Sequence, residues 1–133
     1  MPGTLAYVDT SAFVKLVLGE DEASALRSEL AHWKGHVASR LLRTEAIRAC
    51  ARYGRSFADL AREGAHAVAL LPVDDAILDA AAGLEPRELR TLNALHLATA
   101  LSLGDDLGAM LVYDVRLASA AQRAGLNVVA PGT

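Results

Sequence analysis

The sequence predicts an α/β fold: a central parallel sheet of four to five strands with helices on both faces. Three observations carry that expectation. Leu5-Ala6-Tyr7-Val8 and Met110-Leu111-Val112-Tyr113 run apolar without alternation, as strands buried on both faces do. Each run ends at an acid, Asp9 or Asp114, with a helical segment behind it. Elsewhere short apolar runs alternate with segments of helical period, the order in which crossover helices join parallel strands.

In order, strand Leu5–Val8 is followed by a helix over 11–18 that Gly19 closes. Glu20-Asp21-Glu22 put negative charge ahead of a helix over 23–34, where Leu26, Leu30 and Trp33 keep helical spacing. Gly35 ends it, and 36–39 is a weak strand. A helix over 40–53 follows, broken by Gly54, with Ser56 as the expected cap of a helix over 57–68. Residues 70–73 read as a short strand that Pro72 assigns to an edge. Asp74 and Asp75 cap a helix over 76–82. Beyond the 83–90 loop, Thr91 caps a helix over 92–103 that is apolar on nearly every side and so buried. The 104–108 turn, a strand over 109–113, a helix over 115–124 and a last strand over 127–130 complete the chain. That turn and the 83–90 loop are the expected mobile places.

The 133 residues form one domain, with no repeat or linker, and can bury a core without staples. No apolar run approaches the roughly 20 residues that span a bilayer, and no basic patch precedes an apolar leader. Cys50 is the one cysteine, which fits a reducing cytoplasm rather than a disulfide framework. A net charge of −3 excludes polyanion binding by bulk charge, so nucleic acid must be met by a local basic patch or by metal ions. Eleven of the thirteen cations are Arg, the better bidentate phosphate ligand, although a GC-rich genome gives the same bias.

Asp9 and Asp114 each have a bland reading as helix caps. Two strands of one parallel sheet ending alike would nevertheless bring both carboxylates to the rim where such sheets bind ligands. Glu45 lies inside a helix with Arg48 and Arg52 at i+3 and i+7, and Arg55 continues the stripe. This is either a surface Glu45–Arg48 ion pair or a third acid with an arginine track leading phosphates to it. Asn93 and His96 fall one turn apart on the apolar helix, where a polar pair needs partners. A satisfied core histidine is the first reading of His96 and a catalytic one the second. His32 and His36 lack a third ligand for zinc.

Val8-Asp9-Thr10-Ser11-Ala12, Thr44-Glu45-Ala46, Leu92-Asn93-Ala94-Leu95-His96-Leu97-Ala98-Thr99-Ala100 and Tyr113-Asp114-Val115-Arg116-Leu117 fall in order over essentially the whole chain. Together with the 125–131 ending they resemble the PIN-domain family, specifically its VapC toxins. The resemblance implies a PIN-like three-layer fold and an Mg²⁺-dependent endoribonuclease, with Mn²⁺ as a substitute. It also implies a homodimer, a VapB-type antitoxin as partner, and tRNA or ribosomal RNA as substrate. The family's acids fall on Asp9, Glu45 and Asp114 as catalytic and metal-holding residues. Ser11, with Thr10, supports them, and Arg48, Arg52 and Arg116 are the expected RNA contacts. Some of Phe13, Val14, Val17, Leu26, Leu30 and Trp33 are expected to line the antitoxin groove.

One position departs. The family motif has aspartate where this chain has Asn93, and an amide keeps the shape and one carbonyl oxygen but loses the charge. The expectation is a weakened nuclease, by deliberate disarming first and as a naturally attenuated member second. Clustered carboxylates about 4 Å apart repel by about 4 kcal/mol per pair at an effective dielectric near 20. Without a cation, one of them should therefore hold a proton. Mg²⁺ or Mn²⁺ suits such all-oxygen ligands. Two other readings compete. A phosphoaspartate protein lacks its second acid at Ser11 and a late-strand lysine, the only lysines being Lys15 and Lys34. A non-catalytic PIN-fold module that binds RNA or antitoxin is the alternative that Asn93 favours.

Overall fold

The computed structural model describes residues 3–133. Five parallel strands, β1 (Leu5–Val8), β2 (Gly35–Ser39), β3 (Ala69–Leu71), β4 (Leu107–Leu111) and β5 (Val128–Val129), form one sheet in the order β3-β2-β1-β4-β5. Helices α1 (Thr10–Leu18), α2 (Ala23–Leu30), α3 (Leu41–Ala51) and α4 (Arg55–Ala65) connect β1 to β2 and β2 to β3. Helices α5 (Asp75–Ala82) and α6 (Thr91–Leu101) return the chain to β4, and α7 (Val115–Arg123) links β4 to β5.

The chain winds outward on one side of β1 and then crosses to the other, so β1 and β4 meet at the topological switch point. Right-handed crossovers in opposite directions put α1–α4 on one face and α5–α7 on the other, which gives three layers. Ala6, Tyr7 and Val8 at the centre, with Met110 and Leu111 beside them, are at most 1% exposed. The unalternating apolar runs record that two-sided burial.

Several expected boundaries move for local reasons. Helix α2 ends at Leu30, not at 34, because Ala31–Trp33 tighten into i→i+3 turns (His32 N–H to Glu29 O, 3.0 Å; Trp33 N–H to Leu30 O, 3.1 Å). Trp33 keeps the apolar spacing because the turn delivers its ring onto the Gly108 backbone, leaving no room there for a Cβ. Gly108 thus lies inside β4 rather than in a mobile turn, and 104–106 form a short 3-10 helix. Ser56 lies inside α4, whose cap is Gly54 at φ 130°, open to glycine alone without strain. Thr91 is the first helical residue of α6, and no side chain caps that helix. Asp74 caps α5 (Ile77 N–H to Oδ1, 3.0 Å), while Asp75 is already helical. Strand β3 is an edge as expected, although it ends at Leu71 and Pro72 lies just beyond it.

Candidate functional site

Asp9 follows β1 directly and is 4% exposed. It caps α1: Oδ2 accepts the Ser11 N–H at 3.1 Å and the Ser11 hydroxyl at 2.6 Å. Asp114 caps α7, with Oδ1 accepting the Leu117 N–H at 3.0 Å. Cap and site readings therefore coexist, since each cap occupies one carboxylate oxygen. Among the described residues, Asp9 Oδ1, Glu45 Oε2 and Asp114 Oδ2 accept no hydrogen bond. Asp114 is not at a strand end as expected, because β4 stops at Leu111 where its partner β5 stops at Val129. The Tyr113 N–H leaves the ladder and donates to Ser11 Oγ at 2.9 Å.

Glu45 projects from α3, and the surface ion pair with Arg48 is not among the salt bridges of the described residues. Its Oε1 accepts instead from the Thr10 hydroxyl at 2.8 Å and meets His96 Nε2 at 2.6 Å. Asp9 Oδ1 lies 3.8 Å from His96 Nδ1, and the Tyr7 hydroxyl contacts that same nitrogen at 2.6 Å. Tyr7 in turn accepts the Ser39 N–H of β2 at 3.1 Å. His96, 1% exposed, is thus a satisfied core histidine whose partners are the site's own acids.

The charges sort accordingly. Burial, with a smaller push from Glu45, raises the Asp9 carboxyl above its ordinary value, and this outweighs His96 and the Ser11 hydrogen bonds. Between Asp9 and Glu45, Asp9 is thus the acid inclined to keep a proton. Burial also acts upward on Glu45, but the His96 hydrogen bond and charge and the Thr10 hydroxyl outweigh it and lower that carboxyl. Burial acts downward on His96; the Glu45 hydrogen bond and the charges of Asp9 and Glu45 overcome it and raise the ring.

Asn93, Asp114 and Arg116 line one cleft of about 340 Å³ with Arg90 and Val115. The structure therefore gathers the site in two halves, Asp9–Glu45–His96 and Asn93–Asp114–Arg116, stitched by Ser11. Among the described residues no three His, Cys, Asp or Glu side chains form a metal-holding group by themselves. Arg48 and Arg52 are exposed on α3 and its C-terminal cap and contact neither half in the hydrogen bonds described. His32 and His36 spend a ring nitrogen each on backbone carbonyls of Ser28 and Leu30.

Tyr7 and Arg90 escaped sequence reasoning. Tyr7 reads as one more residue of a buried strand, and its hydroxyl, which must find a partner, was the available signal. Arg90 sits one turn before Asn93 at the mouth of α6, a spacing visible in the chain.

The PIN domain model matches residues 6–122, and the chain belongs to the PIN-domain family. Within that family it is similar to VapC proteins of Mycobacterium tuberculosis, among others. Ribonuclease VapC46 is 46% identical over 94% of this chain and 96% of its own length. Ribonuclease VapC47 is 35% identical over 96% and 98%. The crystal structure of M. tuberculosis VapC20, a sarcin–ricin loop cleaving toxin, superposes with a TM-score of 0.74, covering 95% of this chain and 99% of that one. At 20% identity that likeness speaks for the shared fold alone.

Proposed function

We propose that this protein is a VapC-type endoribonuclease toxin, dependent on Mg²⁺ or Mn²⁺, cleaving tRNA or ribosomal RNA in the cytoplasm and neutralised by a VapB-type antitoxin. The observation that carries the reading is the placement of Asp9 and Glu45 on one histidine, with Asp114 and Asn93 across the β1–β4 switch point. The relatives named ribonucleases support it over nearly the whole chain.

The donor set fits a hard divalent cation. Three carboxylates, each with one oxygen outside the hydrogen bonds described, and one amide carbonyl are all-oxygen ligands, and such a cation keeps several waters rather than needing a closed cage. Asp9, Glu45 and Asp114 would hold it, directly or through water, with Asn93 offering a neutral oxygen. Held by these residues, such a cation would supply Lewis-acid chemistry toward a scissile phosphate and its attacking water. Ser11 and Thr10 fix the carboxylates, and Arg116 with Arg90 supplies positive charge for a phosphate entering the cleft. Arg48 and Arg52 extend that charge along α3.

An aspartate at position 93 would add a fourth negative charge, so this chain is an attenuated form. A non-catalytic module gripping RNA or antitoxin is the second reading, and Asn93 favours it. For the antitoxin, Phe13, Leu16, Val17, Leu30 and Leu60 line an apolar groove of about 460 Å³ with Arg27 and His36 at its polar edge. Exposed Leu78 and Leu92 supply an apolar surface for a homodimer.

The experiment is RNA cleavage by this chain and by Asn93→Asp, with Mg²⁺ or Mn²⁺ and with chelator. Cleavage that rises in Asn93→Asp and stops with chelator supports the reading. RNA binding without cleavage in both favours the module. Equal, chelator-insensitive cleavage in both overturns the metal-nuclease scheme.

A further inference from the structure

We propose that His96 and Tyr7 are positioning residues that fix the Glu45 carboxylate relative to β1. The proposal rests on the nuclease reading above. Four groups form one line: the Ser39 N–H of β2, the Tyr7 hydroxyl, the His96 ring and Glu45 Oε1, at 3.1, 2.6 and 2.6 Å. The proton order in this line follows from the chemistry at its ends. An ionised Glu45 can only accept, so Nε2 is the donor to Oε1. The Tyr7 oxygen already accepts from Ser39, so its own proton goes to Nδ1 of the neutral ring. If the ring is protonated, Nδ1–H donates to Tyr7 instead. In both states the Nε2–H faces Glu45.

The need for such a line is clear from where Glu45 comes from. It reaches the rim on a long flexible side chain from α3, whereas Asp9 is fixed by its backbone position and by Ser11. Without the ring, only Thr10, the first residue of α1, would tie Glu45 down. The imidazole is a rigid spacer between a buried strand and an acid carried on a long side chain. It is held at its far nitrogen by a tyrosine with no exposed surface, and it engages Oε1 while leaving Oε2 free of hydrogen bonds among the described residues.

The test uses nitrogen-15 NMR of the His96 ring in the unmutated chain, and steady-state RNA cleavage in the Asn93→Asp background. The ring spectrum should show a proton on Nε2, slow to exchange, on the alkaline side of the ring's titration; Tyr7→Phe should speed that exchange. His96→Leu should lower kcat about tenfold or more with KM for RNA little changed, the size usual for residues that orient metal-site ligands. His96→Gln, whose amide keeps a donor toward Glu45, should recover most of that loss although both variants lower the melting temperature. A proton absent from Nε2 overturns the proposal, and so does equal kcat in the Leu and Gln variants. If Asn93→Asp does not cleave RNA at all, the nuclease reading falls, and the ring spectrum still decides whether Nε2–H faces Glu45.

Discussion

Ser11 and Tyr113 join the ends of the two strands that carry the site. The Ser11 hydroxyl donates to Asp9 Oδ2 at 2.6 Å and accepts the Tyr113 N–H at 2.9 Å, across 102 residues of chain. The acid that ends β1 and the segment that leads to Asp114 are thereby held in one register. Ser11→Ala should leave the Tyr113 N–H without its acceptor and should cost about 1–3 kcal/mol, the price of an unmet polar group. Chemical denaturation measures it; a change below about 0.5 kcal/mol would show the link to be dispensable.

Asp9 should oppose stability in the metal-free protein. Its carboxyl lies above its ordinary value of 3.8, chiefly through burial. Between those two values the native state binds more protons than the unfolded chain, so stability falls as pH rises through that window. A displacement of one pH unit is worth about 1.4 kcal/mol. Asp9→Asn, which keeps an oxygen for the Ser11 N–H, should therefore be more stable than its parent at neutral pH and equal to it well below 3.8. Denaturation across a pH series with chelator present checks this.

The Glu45–His96 pair titrates in the opposite sense at each end. His96 is raised above 6.5, so its contribution is complete below that value and is lost as pH rises through the native one. Glu45 is lowered from 4.5, so its contribution is complete above that value and is lost as pH falls through the native one. Stability from the pair should be greatest between 4.5 and 6.5, and His96→Leu should flatten the alkaline decline.

Arg116 should act through charge. Arg116→Ala should weaken single-stranded RNA binding and lower the slope of log affinity against log salt by about 0.7, one phosphate contact. Binding titrations at several salt concentrations read that slope. An unchanged slope would remove Arg116 from the RNA path.

How much of this was legible in the sequence depends on the range of each contact. The strands carrying Asp9 and the approach to Asp114 announce themselves locally, because burial on both faces leaves an unalternating run and a helix cap must follow it. For Glu45 the sequence offers both an i,i+3 pair with Arg48 and a place at the rim, and local spacing cannot choose between them. Its actual partners are 35 and 51 residues away. His96 is legible as a buried, satisfied histidine, because a polar side chain on a helix apolar all round must find partners; that those partners are Tyr7 and Glu45 is not, since they come from distant segments. The 104–108 stretch looked mobile because its glycines suggest a turn, whereas Gly108 is required by a ring from residue 33.

Calorimetric titration of Mn²⁺ into three proteins would decide the nature of the site: this chain, Asn93→Asp, and Asn93→Asp carrying Asp9→Asn. Restoring the charge at position 93 should tighten binding by about tenfold or more, the range that partners of a metal site command, and removing Asp9 should abolish the gain. Equal affinity in all three proteins would show that Asp9 and position 93 do not share a cation, and would contradict the metal site set out above.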